Sequence, residues 1–242
     1  MSLTISYLLV GIAVGSVYAT AAIGLVLTYR ATGVFNFAHG PIAILVAFVF
    51  WQTHADWHWP LVPAAIVSIL IVGPLVGLLL ERLVFRPLEY AGASTATKLA
   101  ATMGVFVFVL GIVFAVWGGT SKPAPSLFPL SPVHITSTLV LGQDQIAVLG
   151  IGVAVSLGLL YVLRYTRIGV ATRAVVDRRE LAELMTIDTN RVSALAWALG
   201  TFLAGLAGVL LAPRLLLDTN TLLLVVLGSY ACAVGGRLAI AT

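Results

Sequence analysis

Three groups of polar residues stand out from a chain that is 60% hydrophobic and only 9% charged. Asn36 and His39 interrupt the apolar text within RATGVFNFAHG, Arg30 to Gly40. A buried carboxamide and imidazole need hydrogen-bond partners. The pair therefore marks either a polar element inside the molecule or a helix-start loop at an interface, with Asn36 as cap. His54, Asp56 and His58 have the residue types of a metal site, but nothing else supports one, and an exposed polar loop is the simpler account. The third group is the densest in charge, Arg164 to Val192, RYTRIGVATRAVVDRRELAELMTIDTNRV. No phosphate loop of the GxxxxGK[ST] kind occurs, and no HExxH, CxxC or GxSxG, so no catalytic residue, metal or cofactor is expected. The single Cys232 excludes an intrachain disulfide.

The charged stretch has helical periodicity. Ala171, Ala174, Val175, Leu181, Ala182 and Met185 recur at spacings of three and four and share one face. Thr172, Arg173, Asp177, Arg179, Glu180 and Glu183 fall mostly on the other. Arg173 with Asp177, and Arg179 with Glu183, can pair along the surface, each pair contributing only ~0.2–0.5 kcal/mol. Asp188, Thr189 and Asn190 are suited to end this helix and cap the next. Between two long hydrophobic runs, such a helix must lie at a membrane surface. Its face of Ala and Met suits a groove on a partner protein better than lipid. A solvated loop of orienting arginines is the plainer alternative.

The elements around these residues are membrane spans. A mean hydropathy of +1.09 would leave a soluble domain with an apolar surface. The net charge of +4 sits in loops between hydrophobic runs, where it reads as an orientation signal and not as a nucleic-acid surface. Ile5–Tyr29 exceeds the ~20 residues that a ~30 Å hydrocarbon core requires. It reads as an uncleaved first span, because no Lys or Arg precedes it. Gly11 and Gly15 form a small-xxx-small pair suited to close helix packing. Pro41–Trp51 is too short to cross alone, so either the helix starts near Val34 or the backbone is broken there.

Leu61–Leu80, Leu99–Trp117, Ile146–Leu163 and Ser193–Leu211 are further spans, with Thr221–Gly236 a last, short one. Gly200, Ala204, Gly205 and Gly208 form another close-packing face. The expectation is an all-α polytopic transmembrane bundle of about seven spans. Arg82, Arg86 and Lys98, and the six arginines from Arg164 to Arg191, place their connections in the cytoplasm. The Trp-rich segment Gln52–Pro60 and the polar loop Gly118–Gln145 then face outward. Every Asp and Glu falls at a span edge or in a loop, so an energy source would have to come from a partner.

Three ordered stretches resemble the permeases of branched-chain amino acid (LIV-type) ABC transporters. They are GIAVGSVYATAAIGLVLTYRATGVFNFAHGPIAIL at Gly11–Leu45, LLERLVFRPL at Leu79–Leu88, and the loop and helix Thr166–Pro213. The resemblance implies the membrane subunit of an importer in a bacterial plasma membrane. Two permeases would pair across a central pathway, two ABC ATPase subunits would bind the cytoplasmic loops, and an extracytoplasmic binding protein would deliver substrate. Carried over by position, ATPase coupling falls on Gly169, Arg173, Ala174, Asp177, Ala182 and Met185, with Asn36 and His39 near the translocation path. A urea or short-amide permease resembles the same family, and a stand-alone channel lined by the Asn36–His39 break remains the reading from another class. Thr186 departs from the family's small residue after the methionine. The chain also ends GGRLAIAT where relatives continue, so the expectation is one permease domain, 1–242, lacking the family's C-terminal spans.

Overall fold

The computed structural model describes residues 2–129, 131–136, 139–177, 188–215, 217, 228, 230 and 231. Its helices are α1 (Ser2–Thr32), α2 (His39–Trp51), α3 (Leu61–Tyr90), α4 (Thr95–Trp117), α5 (Gln143–Tyr165), α6 (Arg167–Asp177) and α7 (Thr189–Leu215). Among the described residues five helices are long and apolar enough to cross a membrane, namely α1, α3, α4, α5 and α7. The chain is a polytopic helical membrane protein. The expected last span, Thr221–Gly236, lies almost wholly outside the described residues.

α7 is the centre of the bundle. Of its most apolar stretch 72% is buried, against 11% for that of α5, which lies at the periphery. It packs on α1, α2 and α3, while α5 packs on α1 and α4 on α2. Small residues set these approaches, since lipid supplies no hydrophobic force between helices and close backbone contact must hold them. A Cβ placed at Gly208 would lie 2.3 Å from the Ala43 carbonyl oxygen of α2, and one at Gly77 of α3 would lie 2.5 Å from the Trp197 carbonyl oxygen. Among the described residues no atom lies within 4 Å of where a Cβ of Gly11 or Gly15 would be. The glycine of α1 that makes the close contact is Gly24.

The sequence expectation places α3 at Leu61–Leu80 with a basic loop to Lys98, but the helix runs ten residues further. Glu81 and Arg86 pair along it, which lets charge continue on helical backbone. Pro74 and Pro87 each follow a stretch of i→i+5 turns, Ile66–Val72 and Glu81–Phe85. Widening the turn before a proline relieves the missing N–H and the ring's clash with the preceding carbonyl. Only a four-residue turn then separates α3 from α4, whose first N–H groups are capped by Ser94, with Thr97 N–H donating to its Oγ at 3.2 Å.

The expected polar loop Gly118–Gln145 is also partly ordered. Strands β1 (Pro132–Thr136) and β2 (Leu139–Gly142) pair antiparallel, Pro132 opposite Gly142, and lead straight into α5. At this end Trp117 Nε1 donates to Gln52 Oε1 at 2.8 Å, and Lys122 sits 4.2 Å over the Trp51 ring. Lys122 and Leu217 exchange backbone hydrogen bonds of 3.1 and 2.9 Å. The opposite, basic end gathers Thr32, Glu81, Arg86, Lys98, Asn190 and Ser193 around one cleft.

Candidate functional site at the broken second helix

α1 stops at Thr32 because Gly33 takes a positive φ of 68°, its N–H bonded to the Tyr29 carbonyl at 2.8 Å, a glycine helix end. Residues 33–38 then run without helical structure before α2 begins at His39. The helix continues past Trp51 through a wider i→i+5 turn, Gln52–Asp56, but it begins only at His39 and does not reach back to Val34. The second of the two sequence alternatives is therefore the observed one, a broken backbone. Asn36 is not the cap of α2: its carbonyl accepts the His39 N–H at 3.2 Å, but its side chain bonds nothing among the described residues.

The break lies deep in the molecule. A Cβ at Gly24 would meet the Gly200 carbonyl oxygen at 2.9 Å and His39 Cε1 at 3.1 Å, so the imidazole is wedged where α1 crosses α7. Gly200 is eleven residues into α7, ~16 Å from its start, while Thr32 and Val34 at the head of the break line the basic-end cleft. Non-helical backbone here is tolerated because protein surrounds it, with Val34, Asn36 and Ala38 all buried.

Asn36 and His39 are 0% and 1% exposed. Both carboxamide atoms and both ring nitrogens complete no hydrogen bond among the described residues, although the Ala21 carbonyl faces the imidazole. The indole Nε1 of Trp197, one turn before Gly200, is the other orphan of this kind. Each such group costs about 1–3 kcal/mol, and native proteins keep them where function requires. Tyr230 is the residue that sequence reasoning missed. Its hydroxyl donates to the Phe37 carbonyl at 2.6 Å, and its ring stands edge-on to Phe35 and Phe37, at 5.3 and 6.2 Å between centroids. Nothing but the weak last span signalled it. His54 of the Trp-rich segment, one of two histidines weighed there as metal ligands, has Nδ1 2.8 Å from the Trp59 carbonyl.

The charged stretch begins as expected, with a short helix between two long ones. Gly169 is required at the α5–α6 turn, since a Cβ there would lie 2.1 Å from the Leu163 carbonyl oxygen. Thr166 fixes the same turn, its hydroxyl donating to the Val162 carbonyl at 2.6 Å and accepting the Gly169 N–H at 3.3 Å. Arg173 is exposed, with Nη2 3.5 Å from the Arg164 carbonyl. On the expected apolar face, Val175 is buried and Ala171 and Ala174 are partly buried. They pack on Val192 at the start of α7, because burying that face against the bundle removes it from water at no cost to the exposed arginine. Ala182, Met185 and the Arg179–Glu183 pair lie outside the described residues, as does the Asp177 side chain. Asp188 caps α7, accepting the Arg191 N–H at 3.1 Å and pairing with its guanidinium at 2.8 Å.

A multi-span bundle with a broken helix, and with buried polar groups beside it that are unpaired among the described residues, fits the class of membrane transport subunits. The chain matches the family described as branched-chain amino acid transport system, permease component, over residues 7–239, and it belongs to that family. It is 30% identical over 213 residues to the high-affinity branched-chain amino acid transport system permease protein LivH of Salmonella typhimurium, and equally to LivH of Escherichia coli, covering 83% of this chain and 68% of each relative. It is 31% identical over 211 residues to the corresponding protein BraD of Pseudomonas aeruginosa, again over 83% of this chain and 68% of the relative. No solved structure matches.

Proposed function

We propose that the chain is the membrane-spanning subunit of an ABC importer in a bacterial plasma membrane, admitting branched-chain or related amino acids. The observation that carries this is the family match across residues 7–239 together with the α1–α2 break it contains. Two such subunits pair around a central pathway, and an extracytoplasmic binding protein supplies substrate from the aromatic end. ATP is hydrolysed by separate ATPase subunits at the basic end, which the excess of arginine assigns to the cytoplasm. The subunit itself performs no chemistry.

In this mechanism the ATPases grip α6 and the residues after it, with Gly169, Arg173, Ala174, Asp177, Ala182 and Met185 as the coupling set. Gly169 and Ala174 shape and seat the helix, while exposed Arg173 offers the contact. ATP-driven closure moves α6 and opens the bundle alternately to each side. The orphaned groups of Asn36 and His39 then gain substrate or water as partners, because a polar group that is unsatisfied in the closed state is stabilised by whatever bonds it in the open one.

The test is reconstitution with ATPase and binding-protein subunits, comparing the parent with Arg173→Glu combined with Asp177→Lys. Loss of stimulated ATP hydrolysis and of uptake is expected. Intact ATPase association and stimulation in that variant would overturn the coupling assignment, and substrate flux through the chain alone would favour a channel.

A further inference from the structure

A force delivered at α6 has to reach the broken segment, and the basic end offers one joint able to carry it. Trp197 is completely buried, two turns into α7. Its indole stacks on Phe85 of α3, with centroids 4.4 Å apart and 20° between the ring planes. The stacked rings form one buried cluster with Val34, which lies in the broken segment two residues before Asn36.

The surroundings hold this stack on each side. Glu81, itself 2% exposed, binds Arg86 through Nε to Oε1 at 3.1 Å and Nη2 to Oε2 at 2.8 Å, flanking Phe85 on α3. Two turns before Phe85, Gly77 lets α3 press on the Trp197 backbone itself. Five residues before Trp197, on the same rigid helix, Val192 packs on Val175 of α6. Packed contacts thus run without interruption from α6 through the start of α7 to Val34. Interiors at this density transmit displacement, because opening a gap forfeits dispersion contacts on both sides. The indole N–H has no partner among the described residues, where ring packing and not a hydrogen bond fixes Trp197.

We propose that Trp197 is a positioning residue, and that its stack on Phe85 is the joint through which movement of α6 sets the broken segment 33–38. This rests on the coupling role of α6 proposed above. Trp197 touches no substrate in this scheme; it acts through Val34.

The experiment uses the complete complex in proteoliposomes, with ATP hydrolysis and uptake read in the same preparation. Trp197→Ala and Phe85→Ala should keep hydrolysis within about twofold while uptake falls at least ~10-fold, a loss of coupling between two sites. Trp197→Phe, which keeps a stacking ring and deletes the N–H, should retain both. Uptake per ATP unchanged in the alanine variants overturns the proposal. So does a Trp197→Phe variant as defective as Trp197→Ala, since the N–H would then be the working group.

Should the alanine variants fail to assemble, maleimide labelling of Phe35→Cys in a Cys232→Ser background decides. An ATP-dependent change in labelling rate that vanishes with Phe85→Leu supports the joint, and one that persists overturns it. A complex in which charge reversal at α6 leaves hydrolysis stimulated refutes the coupling role instead, whatever the joint does.

Discussion

Arg214, near the end of α7, forms an ion pair with Asp144 in the first turn of α5, seventy residues earlier in the chain. The pair ties the central helix to a peripheral one at the aromatic end. Asp144 also sits where the dipole of α5 favours a negative charge. Its carboxylate is more enclosed than the guanidinium, at 10% against 24% side-chain exposure. Asp144→Ala or Arg214→Ala should destabilise the protein by about 1–3 kcal/mol, less than the ~3–5 kcal/mol of a fully buried pair broken on one side. The charge swap should recover only part of this, because an arginine in the first turn of α5 opposes the dipole. Thermal unfolding in detergent reads the series, and a swap no better than the sum of the two alanine variants would show that the pair is not coupled.

Helix packing gives a second expectation. Gly208→Ala places a methyl 2.3 Å from the Ala43 backbone oxygen, which cannot rotate away, whereas Gly150→Ala on α5 meets nothing within 4 Å. Gly208→Ala should cost at least the ~1–3 kcal/mol typical of overpacking and lower the yield of folded protein. Gly150→Ala should be neutral or slightly stabilising, since alanine is the better helix former. Equal melting temperatures for the two variants would contradict the packing described.

How far the sequence reached follows from the same residues. Span-length hydropathy located α1, α4, α5 and α7, because the bilayer imposes length and apolarity on any helix that crosses it. The α1–α2 break was legible as a run too short to span, though not which of two alternatives held. What decided it was the positive φ at Gly33 and the non-helical run 33–38, which the surrounding helices enclose. The extension of α3 through Glu81–Arg86 was hidden because charge normally signals a loop, and only the pairing across one turn makes it compatible with helix. Tyr230 was illegible for a different reason: its contact with Phe37 spans 193 residues, and no local pattern encodes it.

Tyr230→Phe isolates that contact. The ring and its edge-on packing remain, and only the hydroxyl bonded to the Phe37 carbonyl is lost. The expected cost is about 0.5–1.5 kcal/mol, that of a typical net hydrogen bond. Segment 33–38 should become more open, so maleimide labelling of Phe35→Cys in the Cys232→Ser background should accelerate in Tyr230→Phe. An unchanged rate would mean that the aromatic packing alone holds the segment.

Asn36 offers the sharpest separation of stability from transport. Its carboxamide is fully buried and has no hydrogen-bond partner among the described residues, so it carries an unmet desolvation cost there. Leucine has nearly the same branching and no polar atom to satisfy. Asn36→Leu should therefore raise the melting temperature, by an amount corresponding to as much as ~1–3 kcal/mol. The same change should abolish uptake if the group gains its partner only when the bundle opens. A residue kept at the expense of stability is the pattern expected of a functional site. Should Asn36→Leu instead melt lower and still transport, the carboxamide has a structural partner in the working protein, and the translocation path must be sought elsewhere along α7.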